Sequence, residues 1–420
     1  MLLRVPDFYH KFHCLADKCT DSCCIGWEID VDETTLEKYR ELASGKLTAS
    51  QRHQEFAQEI LQNIEDGHFR LLPGDRCPFL QQDGLCKLIR NLGCNGTDMG
   101  PDGENVLCDI CREHPRFVEV YGDIMEKGVG LCCEEAVRLL LTGENSDFPT
   151  HLSKETPLAR HCEECNDEAI HFIETEIEDE PDEMPEGAEE ARNEILAERQ
   201  RIFEILGDTS KPLNARLLDV LSFAENVGGM QDSATDQSSQ GIPLNTSLRG
   251  DEGNACRQKS AAEAIQSILN SWVQILGQGE SFGLAWDAAY KRMLAACNSA
   301  NPNAVQPLFS DQDGARIIAY QIFRYYAKSL FDGDSLGKVQ FAIFFWIMLR
   351  WFGHELSIDA TVDTPTSEPA GGEPSVRKIN AVKLLSKQTE YSEEIMDLLA
   401  ENFYRNPEFS IEKFKTILKT

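Results

Sequence analysis

The spacing of apolar residues changes character along the chain. Beyond residue 190 it is helical. Ile195, Ile202 and Leu206 share one face, and Leu217, Leu218 and Leu221 resume the pattern after Pro212. Ala261, Ala264, Ile265, Ile268, Leu269, Trp272, Ile275 and Leu276 form the clearest amphipathic stripe, and a further helix is expected over 286–297. The aromatic-rich segments 317–331 and 336–352 are long enough for helices, and segments at 377–403 and 408–418 close the series. No stretch of this half alternates as a half-buried strand would.

The first 165 residues are less regular. Helices are expected at 34–42 and 51–64, and a small hairpin at 117–121 and 124–129 around Gly122 and Asp123. Most of the remainder reads as loop. Between the two regions, Glu174 to Glu190 holds ten acidic residues, two prolines and no base, too little apolar area to offset its ordering entropy. The expected organisation is therefore mainly α: a loop-rich N-terminal domain at 1–165, an acidic linker at 166–190 and an all-helical domain at 191–420. Mobile loops are expected near 228–258 and 359–375, where Gly, Ser, Asn, Thr and Pro collect.

Charge narrows the classes of partner. A formal net charge of −31 disfavours nucleic acid and anionic membrane surfaces and favours cationic partners. The longest apolar run, 341–349, ends at Arg350, short of the roughly 18 residues a membrane span needs. Residues 1–13 lack an apolar run of signal-peptide length. The expected compartment is the reducing cytoplasm, where dense cysteines hold metal more often than they form disulfides.

Cysteine is the strongest chemical signal: of 15 in the chain, 13 fall between Cys14 and Cys165. They come in short groups, Cys14-x4-Cys19-x3-Cys23-Cys24, Cys77 with Cys86, Cys108-x2-Cys111 and Cys132-Cys133. Closely spaced ligands sit on one turn while distant ones tie separate segments to a shared centre, so the grouping suits metal ligation. Sulfur donors favour zinc or an iron-sulfur cluster over magnesium or calcium. The three-cysteine loop of radical enzymes that cleave S-adenosylmethionine would need a cysteine where Gly26 stands, which excludes that chemistry. Cys108 and Cys111 with Cys162 and Cys165 form an accessory candidate for a zinc site, and His10, His13 and His114 lie near the groups.

These residues resemble a known family. Phe12-His13-Cys14, Cys19-x3-Cys23-Cys24-Ile25-Gly26-Trp27-Glu28-Ile29, Cys77-Pro78-Phe79-Leu80, Gly84-Leu85-Cys86, Cys111-Arg112-x-x-Pro115-Arg116 and Cys133-Glu134-Glu135-Ala136 are similar in order and spacing to the flagellin lysine-N-methylases. Part of the pattern also resembles small iron- or zinc-chelating domains. The resemblance implies transfer of a methyl group from S-adenosylmethionine to lysine side chains of flagellin, with an iron-sulfur cluster, most simply 4Fe-4S, held by cysteines; zinc is the alternative metal. Carried over by position, the ligand candidates are Cys14, Cys19, Cys23, Cys24, Cys77, Cys86, Cys111 and Cys133. The positions shared with the smaller domains narrow these to Cys23, Cys77, Cys86 and Cys111. The chain departs from the family in an insertion around Cys94 to Glu104 and in added cysteines at 94, 108, 132, 162 and 165. It also has His114 where a tyrosine is typical and Tyr391 where a histidine is expected.

Methyl transfer to lysine requires a neutral amine aligned behind a sulfonium methyl, although free lysine has a pKa of about 10.4. Glu28 and Glu390 are candidates to orient that amine. Tyr320, Phe323, Tyr325, Tyr326, Phe344, Phe345, Trp346 and Trp351 could wall a cationic donor, although such helically spaced aromatics are more often core. No strand-linked Gly-x-Gly-x-x-Gly loop marks a doubly wound donor site. The cluster is accordingly expected to be structural. A reading from another class is a non-enzymatic metal-binding or redox-sensing adaptor.

Overall fold

A computed structural model describes residues 1–48, 50–92, 107–142, 172–179, 181, 184–185, 187–235, 260–298, 307–358 and 374–420. The fold is mainly α. Its strands are β1 (Leu2–Pro6), β2 (Ile64–Glu65), β3 (His68–Phe69), β4 (Arg116–Tyr121), β5 (Ile124–Val129) and β6 (Phe172–Glu176). Helices α1 (Glu33–Ala43), α2 (Gln51–Gln62), α3 (Lys87–Leu92), α4 (Asp109–Glu113) and α5 (Glu134–Thr142) belong to the first 142 residues. Then follow α6 (Ala188–Leu206), α7 (Leu213–Thr235), α8 (Ala261–Leu276), α9 (Leu284–Cys297), α10 (Asp311–Tyr325), α11 (Ser329–Asp332), α12 (Ser335–Ser357), α13 (Val376–Glu390), α14 (Glu393–Arg405) and α15 (Ile411–Leu418). The chain divides into two compact units: Phe8–Glu119 with Glu126–Leu139, and Met1–Asp7, Val120–Met125 and Leu140–Thr420.

In the first unit, the α1–α2 pair packs on a small core of Ile29, Val31, Tyr39, Leu42, Phe56, Ile60, Phe69, Phe79 and Leu88. Asp32 begins α1 by accepting the Thr35 N–H at 2.8 Å, and its other oxygen accepts the Asp109 N–H at 2.9 Å. Burial opposes ionisation of this carboxyl, but the two backbone donors outweigh it and hold its pKa below the usual range. One side chain thus starts two helices that are far apart in sequence.

In the second unit, α12 is apolar on all faces and lies at the centre, packed against α7, α9, α10, α13 and α14. Burying each large apolar side chain of its Phe341–Leu349 stretch contributes on the order of 1.5–3 kcal/mol. Gln340 is buried within this helix and is satisfied by donating to the Phe409 carbonyl at 3.0 Å. The amphipathic stripe of α8 brings Trp272 against Phe344, Phe409 and Phe414, with its indole N–H donating to the Glu408 carbonyl at 2.8 Å. Capping boxes, Ser260 with Glu263 and Ser310 with Asp313, start α8 and α10.

Three features differ from the sequence expectation. The helix expected over 377–403 is two, because Ser392 caps a new helix by accepting the Ile395 N–H at 3.2 Å. Helix α7 continues to Thr235, into the stretch read as loop. Part of the acidic stretch is strand β6, antiparallel to β1 in the register Arg4↔Glu174. Phe172 stacks on Phe203 and Phe323, and Arg4 neutralises Glu174 at 2.6 Å, so this piece is anchored by partners remote in sequence. The rest of the loop expected at 228–258, from residue 236 on, residues 359–373 and much of 166–190 lie outside the described residues.

The hairpin forms as expected. Gly122 turns it with φ +69°, and a Cβ there would lie 2.4 Å from Met184 Sδ and 2.9 Å from Arg192 Nη1. That guanidinium donates to the Tyr121 carbonyl at 2.9 Å and to Asp123. Trp272→Ala should cost about 3–5 kcal/mol, the usual penalty for truncating a fully buried aromatic; chemical denaturation followed by circular dichroism measures it. Asp32→Ala should cost about 1 kcal/mol as a lost helix cap in the same assay.

Candidate thiol-lined metal centre

Local backbone structure brings the cysteines of the first unit together. The Cys77 N–H donates to the Cys24 carbonyl at 2.9 Å, which lays the Cys-Pro-Phe-Leu segment beside the Cys23-Cys24 turn. Leu80 and Cys86 form an antiparallel bridge, and the Lys87 N–H donates to the Phe79 carbonyl at 2.8 Å, so the chain between Cys77 and Cys86 doubles back on itself. Gly84 makes that reversal with φ +80°. Cys108 and Cys111 share the single turn of α4.

The result is a core containing five cysteines. Cys77 and Cys108 are buried in it, 4% and 0% exposed, and Cys24, Cys86 and Cys111 pack against it. No described cysteine is in a disulfide. Burial pushes the Cys77 thiol up to about 11, with Cys86 and Cys108 adding to the rise against backbone N–H donors from Phe79 and Leu80. Burial likewise raises Cys86, beside Cys23 and Cys108. Cys111 is raised first by its hydrogen bond to Cys108, which lowers the Cys108 thiol in turn; Cys24 and Cys86 also stand in electrostatic range of Cys111. The Tyr39 hydroxyl lies 3.8 Å from Cys108 Sγ.

The remaining candidates form a second neighbourhood. Cys133 packs with Phe12, Val129 and Ala136, and burial raises it to about 11, with Cys14 and Cys23 in electrostatic range. Glu134 accepts from the Thr20 N–H at 2.9 Å, the Thr20 hydroxyl at 2.6 Å and the Cys19 thiol at 3.6 Å, which fastens Cys19 beside Cys133. Cys14 and Cys23 are exposed. His114 lies 3.8 Å from Cys132 through Nε2 and packs against Trp27.

All-thiol donors, reduced and gathered from three chain segments, fit a thiophilic metal or cluster better than a hard cation. Among the described residues, no three His, Cys, Asp or Glu side chains are already set in metal-holding geometry. Cys94, Cys162, Cys165 and Cys256, and with them the accessory zinc pairing, lie outside the described residues. Spacing alone gives Cys108 only an accessory part, yet among the described thiols of the first unit it is the most buried; its x2 spacing from Cys111 is the signal.

Glu390 and most of the aromatics read as possible amine-orienting and donor-binding groups are taken up in the packing of the helical unit. Glu390 has no exposed side-chain surface; it accepts from Gln321 at 3.0 Å, Arg324 at 2.7 Å and the Tyr325 hydroxyl at 2.9 Å. With no exposed surface and three donors already on it, this carboxylate is closed to an incoming amine in this structure. Glu28 is 76% exposed. Tyr320, Phe323, Tyr325, Tyr326, Phe344, Phe345 and Trp346 are buried core residues. A cleft of about 470 Å³ in the helical unit is lined by Gln340, Phe403, Tyr404, Glu225, Asp334 and Glu412 among others. Lys415 pairs with both Glu225 and Glu412 at 3.1 Å, and Asp334 caps α12 through the Gly337 N–H.

Fold and site define a mainly α protein with a thiol-rich N-terminal unit. The chain is similar to the flagellar biosynthetic protein FliU of Salmonella muenchen, 29% identical over 155 residues, which is 35% of this chain and 85% of FliU. It is also similar to the lysine-N-methylases of Salmonella typhimurium, 30% identical over 138 residues, and Salmonella choleraesuis, 32% identical over 142. Each of those two matches covers 32% of this chain and only 31% of the relative's length. No family model matches the chain. No solved structure matches it significantly.

Breaking the Glu390 network from one side should be costly. Glu390→Ala strands the buried Arg324 charge and should destabilise the chain by about 3–5 kcal/mol, against a much smaller loss for an exposed pair such as Arg405–Glu401. Paired urea melts of Glu390→Ala and Glu401→Ala test this.

Proposed function

We propose that this protein is a protein-lysine N-methyltransferase that uses S-adenosylmethionine, acts on flagellin and holds an iron-sulfur cluster through cysteines of its first unit. The observation that carries this reading is the similarity to proteins named lysine-N-methylase. The flagellar name of FliU supports flagellin as the substrate class, and the convergence of Cys24, Cys77, Cys86, Cys108 and Cys111 on one core supports a thiol-held inorganic group. When bound, that group would cross-link segments that a small core joins weakly.

The chemistry is a displacement at carbon. The lone pair of a neutral lysine Nζ forms a bond to the methyl carbon as the carbon–sulfur bond breaks, S-adenosylhomocysteine leaves, and the amine loses one proton to solvent or a base. The surplus of acidic side chains favours approach of lysine-bearing loops, with a reach limited to about 8 Å at physiological ionic strength. Among the described residues no helix is long and apolar enough to cross a membrane, and the reading places the protein with unassembled flagellin in the cytoplasm.

Incubating the purified full chain with flagellin and methyl-labelled S-adenosylmethionine should place label on flagellin lysines, read by mass spectrometry of peptides. Label absent from lysine, with the chain folded and metal-loaded, rejects the activity. For a structural cluster, Cys77→Ser should lose metal, helical signal and methyl transfer together; metal lost with fold and transfer intact would show that the group is dispensable.

A further inference from the structure

We propose that the cleft of the helical unit docks a lysine side chain of the protein substrate, held as the charged ammonium and apart from the lysine that reacts. This deepens the proposed action on a protein and rests on that reading for the choice of partner.

The cleft lies where the start of α12, the end of α14 and the start of α15 meet, with Glu225 of α7 beside them, and its volume of about 470 Å³ is that of a small-ligand site. Its lining is rich in acceptors whose hydrogen bonds are not all made. Gln340 is 3% exposed and lines the cleft. Donation to the Phe409 carbonyl satisfies its amide nitrogen, while Oε1 accepts from no described group. The cleft is where that oxygen can meet a donor.

Three carboxylates join it. Asp334 gives Oδ1 to the Gly337 N–H and leaves Oδ2 without a donor; a Cβ on Gly337 would collide with Oδ2, so the glycine makes room for this carboxylate. Glu225 and Glu412 each give one oxygen to Lys415 at 3.1 Å and keep the other. Arg405, the cation in the lining, is paired with Glu401 at 2.8 Å. An ammonium brings three donors and no acceptor, which is what this set lacks.

The apolar part of the lining suits the stem of a lysine. Phe403 is held by Phe344, Phe409 and Phe414. Tyr404, next to it, is 87% exposed and has no ring partner among the described residues. Its open face can cover a methylene stem or meet the charge above it. Carboxylates at this range favour the protonated amine, which has no lone pair to attack a methyl group. The cleft therefore guides a substrate segment by one lysine while another is modified elsewhere.

The test titrates the full chain with a synthetic Gly/Ser peptide carrying one lysine, and with the same peptide acetylated on Nζ; saturation-transfer NMR reads the dissociation constants. Acetylation should weaken binding roughly tenfold or more, as for loss of a charged hydrogen-bonding group. Tyr404→Ala and Glu225→Gln, both at exposed side chains, should each weaken the lysine peptide about two- to fivefold. Glu65→Gln, at an exposed carboxylate of the first unit, should leave it unchanged. Circular dichroism checks that each variant is folded. The proposal is overturned if acetylation leaves binding unchanged, if the wild-type chain binds neither peptide, or if folded Tyr404→Ala and Glu225→Gln bind as tightly as wild type. Binding that both variants weaken, with no label reaching flagellin, supports the cleft and rejects the methyltransferase reading. Label transfer with KM for flagellin unchanged in both variants supports that reading and rejects the cleft.

Discussion

The first unit places sulfur atoms from separated segments inside one small apolar core. Reduced cysteine packs as a small apolar side chain, so Cys77 and Cys108 fill space beside Phe79 and Tyr39 much as alanine or valine would. Ionised, the same thiols repel one another and lose hydration, which is why burial and neighbouring sulfurs hold Cys77 and Cys86 protonated. The pairing of Cys108 with Cys111 acts in opposite directions on the two thiols, lowering Cys108 and raising Cys111.

The second unit solves the opposite problem. Its core is large, centred on α12, and its buried charges at Glu390 and Arg324 are paired with one another. Glu390 takes three donors, and Arg324 lies over the rings of Tyr325 and Tyr391 as well as on the carboxylate. Arg199 gives an N–H to the Phe323 carbonyl at 3.1 Å while covering the Phe323 ring. Such networks fix helix positions in a low-dielectric interior. They also remove these groups from the list of those able to meet a substrate, so the aromatic run from Tyr320 to Trp346 belongs to architecture.

Similarity to the lysine-N-methylases extends over about a third of this chain and a third of theirs. His114 packs on Trp27 and meets Cys132.

Much of this architecture was legible in the sequence because helical periodicity and turn chemistry are local. The stripe from Ile265 to Leu276, the hairpin at Gly122 and Asp123, and the starts of α1 and α2 follow from side chains within a few residues of one another. Cysteine spacing likewise determined which chain segments carry sulfur. What folding decided was long-range: that Phe172 and Glu174 leave an acidic stretch to pair with β1, that Glu390 is consumed by α10, and that Cys108 is buried while Cys23 is exposed. Each depends on which distant surfaces exclude water together, and a linear pattern carries no record of that until the chain has closed on itself.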